Sequence, residues 1–265
     1  MSNDSGKQQC VWSSKQLPYV VDYNDHFETP LQAYRDISWI LDVIKSDRTQ
    51  HTIYDPYYCN GRTSLLLNQL GFTKICHEAR DFYKDVENKT VPTHDTLITN
   101  PPYSDDHKKR CLDYCVEEWK EHNVSFFILM PNYVAARKYF RTCTEGVSTG
   151  LIYVLPEAPY EYDHPEGTGH TIPPFQSMWF CGIRSDLITQ VKEKYNSTHM
   201  RNDLQVLFSM EELKCLHKIP TTKRPNPKQR RKRKKIGDAK VSLGPVAKKK
   251  SKHRDDSGTR TKTRF

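Results

Sequence analysis

Apolar and polar positions along this chain follow two alternating periods, near 3.6 residues in some stretches and near 2 in others. Pro30 to about Lys45 is helix-periodic, with Thr29 placed to cap it and Pro30 at its first position. His51–Asp55 reads as a short strand. Gly61 to Leu70 is helix-periodic through Leu65, Leu66, Leu67 and Leu70, and Gly71 ends it. Thr73–Glu78 predicts a second strand, and Asp95–Thr99 a third after an irregular stretch. A helix over His107–His122 leads into the apolar strand Val124–Met130. A helix at Ala135–Arg141 precedes a strand at Leu151–Leu155, and a Gly/Pro-rich loop, 163–174, leads into a last strand, Ser177–Ile183. The stretch 186–218 reads as helical and closes the body. Strands alternating with helices predict an α/β fold, a mostly parallel sheet with helices on both faces. No internal repeat is visible.

Composition divides this picture in two. Hydrophobic residues make up 36% of the chain and the mean hydropathy is −0.80, low for a wholly folded protein. The net charge of +9 is concentrated at one end. From Pro220 to Phe265 there are 18 Lys/Arg against 3 Asp/Glu, a net of +15, whereas residues 1–219 carry 23 against 29, a net of −6. The expected organisation is a flexible N-terminus (1–14), one folded domain (15–218) and a disordered Lys/Arg-rich tail (219–265), whose few apolar residues cannot offset its ordering entropy. Two basic clusters, 228–235 and Lys248–Arg254, predict a phosphate-bearing partner and a nuclear or nucleolar location.

The longest apolar run, around Ser125–Pro131, has strand length, and the first residues lack the apolar core of a secretory signal, so neither a membrane nor a secreted protein is expected. The eight cysteines (10, 59, 76, 111, 115, 143, 181, 215) contain no C-x-x-C pair and predict reduced thiols. His164, Glu166 and His170 share one loop but have no matching third site at ligand spacing. That loop therefore reads as substrate-side and no metal is expected.

In sheets of this class ligands sit beyond the C-terminal strand ends, and three of those ends are chemically unusual. Asp55-Pro56-Tyr57-Tyr58-Cys59-Asn60-Gly61 joins a strand to a helix. Its glycine permits positive φ or close backbone approach, and the helix behind it offers free N–H groups. Asn60-Gly61 is also a hairpin signal, but a helix-periodic run follows it, and the turn is not G-x-G-x-x-G. Glu78 ends the next strand where nucleotide-binding α/β folds hold ribose hydroxyls; Asp81 is its rival. Asn100-Pro101-Pro102-Tyr103 directly follows the apolar strand 96–99. Its two prolines fix the backbone and lack donors, leaving carbonyls to accept. The Asn100 amide oxygen and the Pro101 carbonyl supply two acceptors for one amino group, and Tyr103 a flat face for a planar ring. This pattern predicts a site for a conjugated –NH2. His107-Lys108-Lys109-Arg110, just after it, reads equally as a phosphate contact or a solvated helix start. Tyr57 and Tyr58 read as flanking a bound ring or as core, and Tyr133 and Trp179 as core.

Asn100-Pro-Pro-Tyr103 resembles the catalytic tetrapeptide of S-adenosylmethionine-dependent amino-methyltransferases, best known in N6-adenine enzymes. Asp55–Gly61 resembles a divergent form of that family's first cofactor motif, with Tyr58 and Asn60 where the family has small residues. Phe27-Glu28-Thr29-Pro30 is similar to the motif that precedes it, and Pro173-Pro174-Phe175 has the family's look. The resemblance spans about residues 25–185. It implies a Rossmann-like class I methyltransferase fold and S-adenosyl-L-methionine as cofactor, held by Thr29, Pro30, Asp55, Pro56, Tyr57, Asn60, Gly61 and Glu78. It also implies catalysis by Asn100, Pro101, Pro102 and Tyr103 on the N6 amine of adenine in RNA or DNA. The same tetrapeptide occurs in protein glutamine-amide methyltransferases, the first alternative, and an inactive scaffold subunit of the same fold is the second.

Overall fold

The computed structural model describes residues 25, 27–147, 149–162, 175–197 and 204–216. The chain divides after Thr221 into two units, and all described residues lie in the first. The expected loop 163–174, the N-terminus 1–14 and the basic tail lie outside the described residues.

The first half of the chain runs α1 (Leu31–Ile44), β1 (Thr52–Tyr54), α2 (Arg62–Gln69), β2 (Lys74–Cys76), α3 (Phe82–Asn88), β3 (Thr96–Thr99), α4 (His107–His122) and β4 (Ser125–Pro131). The second half adds a 3₁₀ turn (Asn132–Ala136), α5 (Lys138–Cys143), β5 (Leu151–Pro156), β6 (Ser177–Gly182), α6 (Ile188–Ser197), β7 (Leu204–Leu207) and α7 (Met210–Cys215). The strands form one seven-stranded sheet in the order β2-β1-β3-β4-β6-β5-β7.

Pairings among β2, β1, β3 and β4 are parallel, while β4–β6, β5–β6 and β5–β7 are antiparallel. The sheet is therefore mixed rather than mostly parallel. Parallel neighbours need helical crossovers, which the first half supplies between its strands. Among the described residues no helix lies between β5 and β6, and these two pair antiparallel.

β4 is buried along its whole length at the centre of the sheet. Its side chains alternate: Phe127 and Leu129 pack under α1, α2 and α6, whereas Phe126, Ile128 and Met130 pack against α3, α4 and α5. α1 buries Ala33, Ile37, Ile40 and Leu41 on one stripe. It also buries Asp36, whose carboxylate accepts from Gln32 Nε2 (2.5 Å) and Tyr160 Oη (2.7 Å).

Four local expectations are corrected. Pro30 is the residue before α1 rather than its first member, and no side-chain hydrogen bond caps the helix there. The stretch expected to be irregular contains α3, capped by Asp81, whose side chain accepts from Lys84 N. The helix expected at 135–141 is a 3₁₀ turn and a short helix, separated where Arg137 adopts an extended backbone (φ −77, ψ 145). The stretch 186–218 is not all helical. It holds β7, whose Leu204 and Val206 alternate with Gln205 and Leu207 between buried and half-buried positions at the sheet edge.

One carboxylate in this frame carries a pH prediction. The Arg80 guanidinium grips Asp85 with two bonds (2.8 and 2.7 Å) and Thr90 Oγ1 adds a third (2.8 Å). The bond from Arg80 holds the Asp85 carboxyl below its ordinary range against an opposing effect of burial. A carboxyl depressed in the folded state stabilises above its unfolded pKa, and that stability is lost as pH falls through the folded value. Urea unfolding should therefore show Asp85→Asn weaker than wild type at pH ~7, with the gap closing below pH ~3. A gap that is constant with pH would contradict this account.

Candidate active site

β1 and β3 lie side by side and their C-terminal ends deliver the two chemically unusual turns to one place. Asp55 follows β1 and is buried. Its Oδ1 accepts from Thr99 Oγ1 at the end of β3 (2.6 Å) and from the Tyr57 amide (3.2 Å). Asn100, next after Thr99, is thereby held next to the Asp55 turn. Asp55 also meets His77, at the end of β2: His77 Nδ1 lies 3.1 Å from the Asp55 carbonyl and 3.6 Å from Oδ2.

The turn from Asp55 to α2 closes through two left-handed residues, Cys59 (φ 47) and Gly61 (φ 81), with the Gly61 amide donating to the Tyr58 carbonyl (2.8 Å). A Cβ at Gly61 would lie 2.7 Å from Tyr58 Oη. Tyr58 thus folds back over the glycine and stacks on His77 (5.0 Å, 29°). Only glycine accommodates both the positive φ and this ring. Burial pushes the Cys59 thiol up to about 12, with the Glu28 carboxylate adding to the shift.

These elements enclose an open cleft of about 330 Å³, part of it bulk solvent, lined by Phe27, Glu28, Thr29, Asp55, Tyr57, Tyr58, Cys59, Arg62, Thr63 and Asn100. Two of its oxygens are buried without a hydrogen-bond partner: Asn100 Oδ1 and Glu28 Oε1. The other oxygen of Glu28 pairs with Arg62 (2.5 Å). A buried acceptor without a donor costs about 1–3 kcal/mol. Facing a cleft, both oxygens are open to an N–H or O–H donor from water or from a ligand.

The turn after Asn100 is clamped at its C-terminal end, through the backbone of Tyr103 and Ser104. The Asp25 carboxylate accepts from the amides of Tyr103 (2.8 Å) and Ser104 (3.1 Å) and from the Ser104 hydroxyl. Lys108, on the first turn of α4, donates to the Tyr103 carbonyl. Burial pushes this lysine's pKa down and Asp25 opposes that shift.

No family model matches the chain, and no curated protein matches it. Among solved structures it is similar to a chain from a type I R-M system, with 11% identity, a TM-score of 0.45, and coverage of 82% of this chain and 65% of that one. It is also similar to LPL1258 from Legionella pneumophila, with 13% identity, a TM-score of 0.33 and 62% of each chain covered. The chain spans under two thirds of the length of either structure. At these scores neither likeness carries an argument about this chain's chemistry, which rests on the cleft.

Of the residues assigned a cofactor or catalytic role from the sequence, Thr29, Asp55, Tyr57 and Asn100 line the cleft, as do Phe27, Glu28, Tyr58 and Cys59 from the Phe27–Pro30 and Asp55–Gly61 motifs. Pro56 and Pro101 are buried beside them, and Pro102, Asn60, Gly61 and Pro30 are half-buried without lining it. Tyr103 does not line it either. Its hydroxyl donates to the Leu129 carbonyl (3.2 Å), its ring meets the edge of Phe175 (5.6 Å), and the Lys108 ammonium lies 5.6 Å from its centroid. Glu78 points outward with its side chain 72% exposed, 4.0 Å from Arg80, and the buried group at that strand end is His77. Asp81 caps α3.

Sequence reasoning passed over Arg62, His77 and Asp25, and named Glu28 only as part of the Phe27–Pro30 motif without giving it a role. Glu28 had a usable signal, since an acidic residue directly before Thr-Pro at a helix start lies near that helix's free N–H groups. His77 and Asp25 carried none.

Proposed function

We propose that this protein is an S-adenosylmethionine-dependent methyltransferase with a Rossmann-like fold, acting on the N6 amine of adenine in RNA or DNA. The observation that carries the reading is the buried, unpaired Oδ1 of Asn100 in the cleft wall, at the end of β3 and beside Asp55. The cleft's donor set fits the cofactor. The unpaired oxygen of Glu28 suits an ammonium or a ribose hydroxyl, Arg62 suits a carboxylate, and Phe27, Tyr57 and Tyr58 suit an adenine ring.

When bound, S-adenosylmethionine supplies an electrophilic methyl group. The protein's part is to present the amine. An adenine amino group is a poor nucleophile because its lone pair is delocalised into the ring. Accepting its two N–H bonds at Asn100 Oδ1 and the Pro101 carbonyl favours a pyramidal nitrogen with the lone pair localised. The turn that carries both acceptors is already held by Asp25 and Lys108. Little reorganisation is then needed on binding, and rate comes from alignment and charge placement rather than a strong base. A paired base would first be extruded, and a single-stranded one would not. The Lys/Arg-rich residues 220–265 add a sequence-independent attraction for phosphate, on which the proposed nuclear or nucleolar location also rests.

The test supplies labelled S-adenosylmethionine and the full chain to separate pools of DNA, ribosomal RNA, messenger RNA and protein from cells lacking the gene, with the nucleic acids then digested to nucleosides. Label in N6-methyladenosine or its deoxy form, reduced about 10²-fold or more with Asn100→Ala, is the expected result. Label confined to protein would move the reading to the glutamine-amide class. Absence of cofactor binding by calorimetry would move it to an inactive scaffold.

A further inference from the structure

Six of the eight described arginines are held by a carboxylate or by an aromatic ring, and Arg35 and Arg141 are exposed with neither among the described residues. Arg48, Arg62, Arg80 and Arg184 each grip a carboxylate, at 2.6, 2.5, 2.7 and 2.6 Å. Arg110 and Arg137 are held differently. Arg110, exposed on the first turn of α4, lies over the Tyr83 ring, 3.5 Å from its centroid. Arg137, exposed just after the 3₁₀ turn that follows β4, lies 5.1 Å from the centroid of Tyr133. Among the described residues neither has a carboxylate partner. A guanidinium on a ring face uses its π surface and leaves its N–H edges available for an anion.

Both tyrosines are tied to the site. Tyr83 Oη bonds to Tyr57 Oη in the cleft wall (3.0 Å) and to His107 Nδ1 (2.7 Å). Tyr133 meets Phe175 edge-on (6.1 Å), and Phe175 meets Tyr103 (5.6 Å). One arginine is therefore linked to the cofactor-turn side of the cleft and the other to the Asn100–Tyr103 side, both beyond the C-terminal ends of the parallel strands.

We infer that Arg110 and Arg137 are two phosphate-contacting positions flanking the active site, across which a nucleic-acid strand lies. This rests on the nucleic-acid reading above and adds where the strand is held. Bulk charge is not the argument, because Asp105 and Asp106 are exposed in the turn before α4 and Asp113 pairs with Lys109 (2.5 Å). The local field is mixed, so long-range attraction falls to residues 220–265. The two arginines supply short, oriented contacts that bidentate phosphate geometry suits. An acidic protein is the less fitting partner, because the outer face of an exposed guanidinium also accepts an unstacked base, which a polypeptide does not offer.

The experiment measures binding of fluorescein-labelled single-stranded DNA and RNA oligonucleotides to the full chain by anisotropy, from ~50 to ~200 mM salt. Arg110→Gln and Arg137→Gln should each weaken binding at low salt roughly five- to tenfold and reduce the slope of log K against log salt by about 0.7, and the double variant by about twice that. Arg184→Gln is the control. It follows β6, whose Gly182 pairs with Phe126 at the opposite end of β4, and it should keep the parental slope. Arg110→Lys and Arg137→Lys, which keep the charge, should restore most of the slope. Parental slopes in both glutamine variants overturn the inference, and if the wild type still methylates nucleic acid the functional reading stands without it. A wild type that labels only protein, with both variants raising KM for an acidic polypeptide, overturns both.

Discussion

On the proposed function, Asn100→Ala should lower methyl transfer by about 10²-fold or more while affinity for S-adenosylmethionine changes by less than about twofold. The magnitude follows from what the side chain is asked to do. Removing one preorganised hydrogen-bonding group from a water-poor site commonly costs that much, because the group acts where charge changes in the transition state. The second acceptor, a backbone carbonyl, survives any side-chain change, so a residual rate remains. Stability should move the other way. Asn100 Oδ1 is buried and unpaired, so alanine removes an unsatisfied acceptor and the melting temperature should hold or rise. Single-turnover kinetics, calorimetric titration with S-adenosylmethionine and a thermal melt together read this. A variant that melts earlier and keeps its rate would show Asn100 to be structural.

Trp179→Ala should cost about 3–5 kcal/mol of folding stability, the largest loss expected from any single truncation here. Trp179 is fully buried at the middle of β6, pairs with Leu129 and packs against Tyr34 (6.2 Å). Its indole N–H donates to the Ala33 carbonyl on α1 (3.0 Å). Truncation therefore leaves a cavity and strips a side-chain hydrogen bond that ties β6 to the first turn of α1. Thr29 and Glu28, just before α1, line the cleft, so cofactor binding should weaken as well. Trp179→Phe keeps most of the volume and should lose appreciably less. Urea midpoints that are unchanged in the alanine variant would refute this packing account.

Elements whose own residues decide their state were legible in the chain. His107–His122 forms a helix with the predicted ends, because its apolar stripe is long and Asn123 closes it in the left-handed region (φ 55). β4 lies within a residue of its predicted span, because a run of apolar residues of strand length admits few alternatives. The misses share a cause. Phe82–Asn88 is polar and short, so its helix rests on the Asp81 cap and on Phe82 packing beneath β1 and β3. Leu204–Leu207 becomes a strand because the edge of β5 is available to pair with it, a fact of the assembled sheet rather than of those four residues. The antiparallel half of the sheet was hidden for the same reason.

The site divides along that line. The chain by itself determined which turns carry chemistry, because Asn100-Pro-Pro-Tyr103 and Asp55–Gly61 are local constraints on backbone geometry and donor supply. Tertiary structure decided which side chains face the cleft. Glu78 looks outward because β2 is the edge strand and His77 takes its inward position. Asp25 reaches the Tyr103 turn across 78 residues of sequence, Glu28 reaches Arg62 across 34, and Thr99 reaches Asp55 across 44. Contacts of that range depend on strand order and helix docking, which composition and periodicity do not encode one segment at a time.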